Sequence, residues 1–389
     1  MEQKDTPKNS GSKAVTGIFL VLVFGITIAG FFVPVKARSE SENRAFAQRP
    51  KFSFESLFAK EDKEKFTTKY EAYLTDQFIG RDTWISVKTR TELLLGKTDI
   101  NGVYFADDDY LVTRTDAGSI DTEQEEKNIS RLDAFVKKYS EVLGDTNVYA
   151  MLVPTAADIL ADKLPPFTSE YDQEALLNRV AGLLGDNFID TRDELTRHKE
   201  EYLYYKTDHH WTALGAYYAY RAWAQAKGNP VREQEDYKIS TGSEEFFGTL
   251  YSKVNIRMPA DTVLLYDDGR SYRVEYDMDG KPYNSMFSME RLSEKDKYMV
   301  YLDGNHAFTQ IQQQGQNRTG KKLLVIKDSY AHTFVPFLAQ DYDEVIMVDF
   351  RYNKMPVSTI IENYGITDIL VLYNATNFVQ DDNLYQLER

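Results

Sequence analysis

The sequence predicts an α/β protein with a central parallel sheet, a β-rich insertion near residues 234–300 and one N-terminal transmembrane helix. Three observations carry this expectation. Short apolar runs such as NVYAMLVP (147–154), KKLLVIK (321–327) and DILVLY (368–373) alternate with helical patterns. Such alternation marks strands buried on both faces beneath crossover helices. Between about 234 and 300 the rhythm breaks into hairpin-like pieces, which reads as an insertion at the sheet edge or over the site. Finally, residues 14–35 carry no charged side chain.

A helix rising about 1.5 Å per residue makes that uncharged run long enough for a hydrocarbon core of about 30 Å. Lys4, Lys8 and Lys13 precede it, against Glu2 and Asp5. The positive-inside rule then assigns 1–13 to the cytoplasm and everything after Lys36 to the exterior. The run is longer than the apolar core of a cleaved signal peptide, and Val35-Lys36-Ala37 is a poor cleavage site. An uncleaved signal-anchor over 14–35 is therefore expected, with the cleaved peptide as the alternative. A polar linker over 36–59, bearing Pro50, leads to an exterior domain over 60–389, single-pass at the cell membrane.

Along that domain, helical periodicity from Phe66 to Leu95 ends at Gly96. Two β-like patches, 102–105 and 110–112, flank the acidic turn Asp107-Asp108-Asp109. An amphipathic helix over 122–143 has acidic residues in its first turn and stops at Gly144. A buried strand (147–154), a helix (174–184) and a short strand (188–190) follow. A helix over 212–227 is stopped by Gly228 and Pro230. Inside the insertion, 262–266 and 272–276 read as a hairpin about Asp267-Asp268-Gly269. Strands at 298–302, 321–327, 344–348 and 368–373 alternate with helices at 330–340 and 358–364.

With 42% hydrophobic and 13% aromatic residues over 389 positions, the chain can bury a substantial core. Its net charge of −15 excludes a nucleic-acid phosphate backbone as partner. The same charge opposes broad docking on an anionic membrane surface. There is no cysteine, so disulfides, thiolate zinc sites and a cysteine nucleophile are excluded.

Two clusters carry chemistry. The first, YYKTDHHWT (204–212), places Asp208, His209 and His210 in a loop between helices. An aspartate beside a histidine can fix the imidazole tautomer and stabilise the imidazolium; helix capping by Thr207, Asp208 or Thr212 is the plainer reading. The second, Lys327-Asp328-Ser329-Tyr330, directly follows a buried strand, where open α/β sheets place their ligands. There the alternative is an ordinary helix N-cap. A serine hydroxyl needs an adjacent base to act as nucleophile, and the two clusters together supply one. Asn374, beyond the last strand, and the Ser329 backbone N–H would serve as oxyanion donors, or Asn374 simply turns the chain. Trp211, Tyr330 and Arg351 are expected at the substrate rim. Asp208, His209 and His210 would also suit a divalent ion, but the H-E-x-x-H spacing is absent, and neither metal nor cofactor is expected.

At Asp208–Trp211 the sequence resembles the DHHW protein family, related to the alginate O-acetyltransferases of the SGNH-hydrolase superfamily. Asp76-Gln77-Phe78 with Gly80-Arg81-Asp82, Asn101-Gly102-Val103-Tyr104, Leu302-Asp303-Gly304-Asn305 and the DSY segment also match. The resemblance covers about residues 40–380. It implies an SGNH-like sandwich and a Ser329–His210–Asp208 triad. It also implies O-acetyl transfer or ester hydrolysis on a cell-surface polysaccharide. A membrane-bound O-acyltransferase partner as acetyl donor is implied in the same way. Lys327 stands where that superfamily's serine motif has glycine. The contrasting reading is a non-catalytic carbohydrate-binding or assembly factor of the cell envelope.

Overall fold

The computed structural model describes residues 10–30, 32–39, 44–315 and 319–389. Residues 1–9 of the expected tail, Phe31 of the expected span and 40–43 of the expected linker lie outside the described residues. The chain divides into two compact units, 1–91 and 92–389.

In the first unit, α1 (Ser10–Gly30) is long and apolar enough to cross a membrane. The helix expected over 66–95 is two helices, α2 (Phe66–Asp76) and α3 (Arg81–Leu94). Gly80 separates them at φ +65, a left-handed conformation that glycine adopts without a Cβ clash.

The second unit opens with a three-stranded antiparallel sheet made of the two-residue strand Asp99–Ile100, β1 (Val103–Phe105) and β2 (Leu111–Thr113). The long helix α4 (Thr122–Leu143) is capped by the Asp121 carboxylate and leads to β3 (Val148–Val153). Next come α5 (Gln173–Leu184) and α6 (Ala213–Lys227). The insertion supplies β4 (Lys238–Phe246), the short helix α7 (Thr249–Val254), β5 (Asp261–Asp267), β6 (Tyr272–Tyr276) and β7 (Pro282–Tyr283). The chain ends with β8 (Phe308–Gln313), β9 (Lys322–Lys327), α8 (Ala331–Leu338), β10 (Glu344–Val348), α9 (Val357–Tyr364), β11 (Asp368–Asn374) and α10 (Ala375–Gln380).

The main sheet runs β7-β6-β8-β10-β9-β11-β3. Its β10, β9, β11 and β3 are mutually parallel, whereas β8, β6 and β7 add antiparallel at one edge. The sheet is thus mixed, not purely parallel. Residues 262–266 and 272–276 do not form the expected hairpin. Strand β5 pairs with β4 in a separate two-stranded sheet, while β6 pairs with β8. The physical reason is that β5 buries Val263 and Leu265 in the core while β4 satisfies its backbone. Residues 297–300 are a 3-10 turn instead of a strand. Tyr298, Val300, Tyr301 and Leu302 are all buried, so no period-2 alternation exists for a half-buried strand.

The parallel strands are buried on both faces. Leu323, Val325, Val345, Met347, Leu370 and Leu372 point into an aromatic-rich core. Their neighbours Leu324, Ile326, Ile346, Val348, Ile369 and Val371 point into a second core. From β9 the chain moves to β10 on one side and then crosses to β11 on the other. The C-terminal end of β9 is therefore a topological switch point, where open sheets bind ligands. Leu324 is 0% exposed. Leu324→Ala is expected to cost about 2–5 kcal/mol of stability in urea unfolding; a cost below about 1 kcal/mol would mean that the second core is not packed as described.

Candidate active site

The chain segment before Asp208 is fixed by a carboxylate from the insertion. Asp261 accepts the backbone N–H groups of Lys206 (2.8 Å) and Thr207 (2.7 Å) and the hydroxyls of Tyr202 and Thr207. Thr207 Oγ1 in turn accepts the Gly248 N–H at 2.9 Å. This brings the N-terminus of α7 onto Asp208. The Thr249 N–H and hydroxyl donate to Asp208 Oδ2 at 2.7 and 3.0 Å. Gly248 is required by contact: a Cβ there would fall 2.2 Å from the Asp208 Cβ.

The other Asp208 oxygen faces His210. Its Oδ1 receives His210 Nδ1 at 2.6 Å and the His210 N–H at 3.1 Å. Burial alone would push the Asp208 carboxyl up. The adjacent His209 and His210 imidazoles, the His210 hydrogen bond and the Thr249 N–H outweigh that and hold it well below the usual carboxylate range. With Nδ1–H on the carboxylate, His210 Nε2 carries the lone pair. That nitrogen lies 2.8 Å from Ser329 Oγ, 119 positions away in sequence. The Tyr298 ring stacks on His210 with centroids 3.8 Å apart and 9° between planes. Its hydroxyl donates to the Ser329 carbonyl at 2.9 Å.

Ser329 follows β9 and precedes α8. Its turn is pinned by Asp328, whose carboxylate accepts the Tyr330 N–H (2.9 Å), the Asn374 N–H and side-chain amide (both 2.9 Å) and the Asn377 amide (3.0 Å). Burial pushes the Asp328 carboxyl up, against the pull of these donors. Asn374 thus gives one amide hydrogen to Asp328, and its Oδ1 caps α10 through the Asn377 N–H at 2.9 Å. The Ser329 N–H donates to nothing among the described residues.

The remaining expected residues divide. Trp211 is 0% exposed and donates its indole N–H to the Tyr330 carbonyl at 3.0 Å. It therefore braces the two clusters against each other from inside the core and does not sit at a substrate rim. Tyr330 is buried, with its hydroxyl on the His209 carbonyl at 2.7 Å. A cleft of about 310 Å³ is lined by Asp208, His209, Tyr330 and Asn374, among others. Arg351 is held by Asp349 through Nε (2.9 Å) and a terminal nitrogen (2.6 Å), and reaches Asn305 at 3.0 Å.

Lys327, in place of glycine, is buried beneath the serine turn. Its Nζ donates to His332 Nε2 at 2.8 Å and to Asp349 at 3.2 Å. Sequence reasoning missed this pairing, as it missed Gly248, Thr249 and Tyr298. Lys327 and Asp349 end neighbouring parallel strands, which is the one signal that could have joined them. Asp208, His209 and His210 offer ligand atoms within 4.8 Å of one another, but both Asp208 oxygens and both His210 nitrogens are committed to protein partners. The donor set does not suit a metal.

Solved structures of other proteins share this fold. A DHHW family protein from Eubacterium siraeum, solved as a crystal structure, is 29% identical, covering 75% of this chain and 96% of that one, at a TM-score of 0.63. Bacillus cereus PatB1 is 20% identical over 72% of this chain and 98% of its own, at 0.60, and 0.59 in a structure with a sulfonyl adduct. No curated protein matches the sequence.

Gly248→Ala is expected to displace Asp208 and to cost about 1–3 kcal/mol by overpacking; unchanged urea stability would show that the α7 terminus is not in contact. His332 is held well below its ordinary pKa by burial and then by Lys327. The unfolded chain, with histidine near 6.5, binds a proton that the folded chain refuses, so this group costs stability as pH falls below about 6.5. Thermal unfolding from pH 7 to 5 should therefore fall less steeply in His332→Phe than in the parent, and equal slopes would contradict the assignment.

The profile of the DHHW protein family matches residues 128–348, more than half of the chain, and the chain belongs to that family.

Proposed function

We propose that this protein is an extracytoplasmic O-acetyltransferase or acetylesterase acting on a cell-surface polysaccharide, with Ser329 as nucleophile, His210 as base and Asp208 as orienting carboxylate. The observation that carries the reading is the continuous hydrogen-bonded line Asp208–His210–Ser329, at 2.6 and 2.8 Å. These distances are within reach for proton transfer.

In this reading, Ser329 Oγ attacks the acyl carbonyl while His210 Nε2 takes its proton. Asp208 stabilises the imidazolium without taking the proton itself. The tetrahedral oxyanion faces the Ser329 N–H and the second hydrogen of the Asn374 amide. Its collapse expels the donor oxygen, which receives the proton from His210. An acceptor hydroxyl then attacks the acyl-serine, again losing its proton to His210, and Ser329 is regenerated. A sugar hydroxyl as acceptor gives transfer; water gives hydrolysis. Tyr298 supports both steps by stacking on the imidazole and holding its plane.

Around this chemistry we place an SGNH-hydrolase-like sandwich over 60–389 and a single-pass membrane anchor at α1. A membrane-bound O-acyltransferase would serve as the source of acetyl groups. The apolar length of α1 supports the anchor, and the family resemblance supports the donor and the polysaccharide.

A sulfonyl adduct has been seen in PatB1, which makes a sulfonyl fluoride a suitable probe. Detergent-solubilised full-length protein treated with phenylmethanesulfonyl fluoride should carry the label on Ser329. His210→Ala and Asp208→Asn should each slow labelling by about 10²-fold or more. Equal labelling of parent and variants would mean a merely accessible hydroxyl and would overturn the reading.

A further inference from the structure

We propose that His209 is a substrate-positioning residue, whose Nε2 accepts a hydrogen bond from a hydroxyl of a polyhydroxylated acyl acceptor in the cleft lined by Asp208, Tyr330 and Asn374. The inference rests on the acyl-transfer reading above and deepens it. His209 stands outside the Asp208–His210–Ser329 line. Its Nδ1 meets Thr249 Oγ1 at 2.8 Å and lies 3.5 Å from Asp208 Oδ1.

The direction of these bonds fixes the tautomer. Asp208 is ionised and can only accept, so the Thr249 hydroxyl, 3.0 Å from Oδ2, gives it its hydrogen. Thr249 Oγ1 is then left as an acceptor, and the hydrogen between it and His209 belongs to Nδ1. Nε2 therefore presents a lone pair. It has no protein partner among the described residues, and the His209 side chain, 35% exposed, lines the cleft. Burial first, and then the charge on neighbouring His210, push the His209 imidazolium below its ordinary range, with Asp208 opposing. The ring packs against His210, centroids 3.9 Å apart, and the Tyr330 hydroxyl fixes the His209 backbone carbonyl.

The cleft wall states what would meet that lone pair. It combines threonines such as Thr113, Thr115 and Thr155 with the amide of Asn377, the apolar Leu111, Ala156 and Leu250, and one cation, Lys253. Its carboxylate, Asp208, is already saturated with donors. Threonine hydroxyls, amides and the Lys253 ammonium are all hydrogen-bonding groups that suit a ligand presenting many hydroxyls. A lone-pair nitrogen beside the triad selects among those hydroxyls by accepting from one, which orients its neighbour toward the acyl-serine.

The test compares full-length parent, His209→Phe and His209→Gln, with p-nitrophenyl acetate as donor and cellopentaose as acceptor. Phenylalanine keeps the ring but has no acceptor atom; glutamine can place an amide oxygen near the Nε2 position. His209→Phe is expected to raise KM for cellopentaose about tenfold, with a smaller change in kcat, and His209→Gln to restore most of it. Selective 15N-histidine labelling should show the His209 proton on Nδ1, which requires no acceptor to observe. Equal KM in parent and His209→Phe, or a proton on Nε2, would overturn the proposal. Sulfonylation of Ser329 alongside either of those results would leave the acyl-transfer reading standing. Absence of both sulfonylation and transfer in the parent would remove that reading and this inference together.

Discussion

The site depends on keeping the charge of Asp208 in a place where water hardly reaches. A buried carboxylate is costly unless its oxygens are filled with donors. Here the donors come from two directions: His210 contributes Nδ1 and its own N–H, and Thr249 contributes its hydroxyl and N–H. Much of the surrounding structure follows from that requirement. Gly248 is a glycine because any side chain would occupy the space of Asp208. Asp261 holds Lys206 and Thr207 so that the next residue meets α7. The insertion is in this sense part of the site, since it supplies the donors that the histidine alone cannot.

A second buried carboxylate governs the serine. Asp328 takes amide donors from β11 and α10 and so ties the turn after β9 to the neighbouring strand end. The two acids differ in their partners. Asp208 touches imidazoles and is held low. Asp328 touches amides, and burial raises it, which suits a purely positional role. Beneath them Lys327, Asp349 and His332 fill the space where a glycine would leave none of these contacts. Tyr298 joins the halves by touching His210 with its face and the Ser329 carbonyl with its hydroxyl.

Much of this was legible in the residues. The strands β3, β9, β10 and β11 are continuous apolar runs because both of their faces are buried, and such runs announce themselves. The Asp208–His210 pair and the serine after β9 were readable because titratable side chains seldom cluster at element ends without cause. The strand pairing inside the insertion was not readable. Strands β4, β5 and β6 are paired by contacts distant in sequence, and a turn signal at Asp267-Asp268-Gly269 says nothing about which partners the flanking strands choose. Residues 298–302 misled because a short, mostly buried apolar run looks alike in a strand and in a 3-10 turn. Trp211 misled because an aromatic beside a histidine fits a substrate rim and a core brace equally well in one dimension. Gly248 and Thr249 carried no signal beyond a helix start, since their importance lies in what Asp208 needs.

The central claim is that a carboxylate, an imidazole and a hydroxyl drawn from two distant segments form one hydrogen-bonded line. The most direct measurement is the proton NMR resonance of His210 Nδ1–H. The account predicts a strongly downfield imidazole proton that persists in Ser329→Ala and vanishes in Asp208→Asn. A spectrum without that proton in the folded parent protein would contradict it.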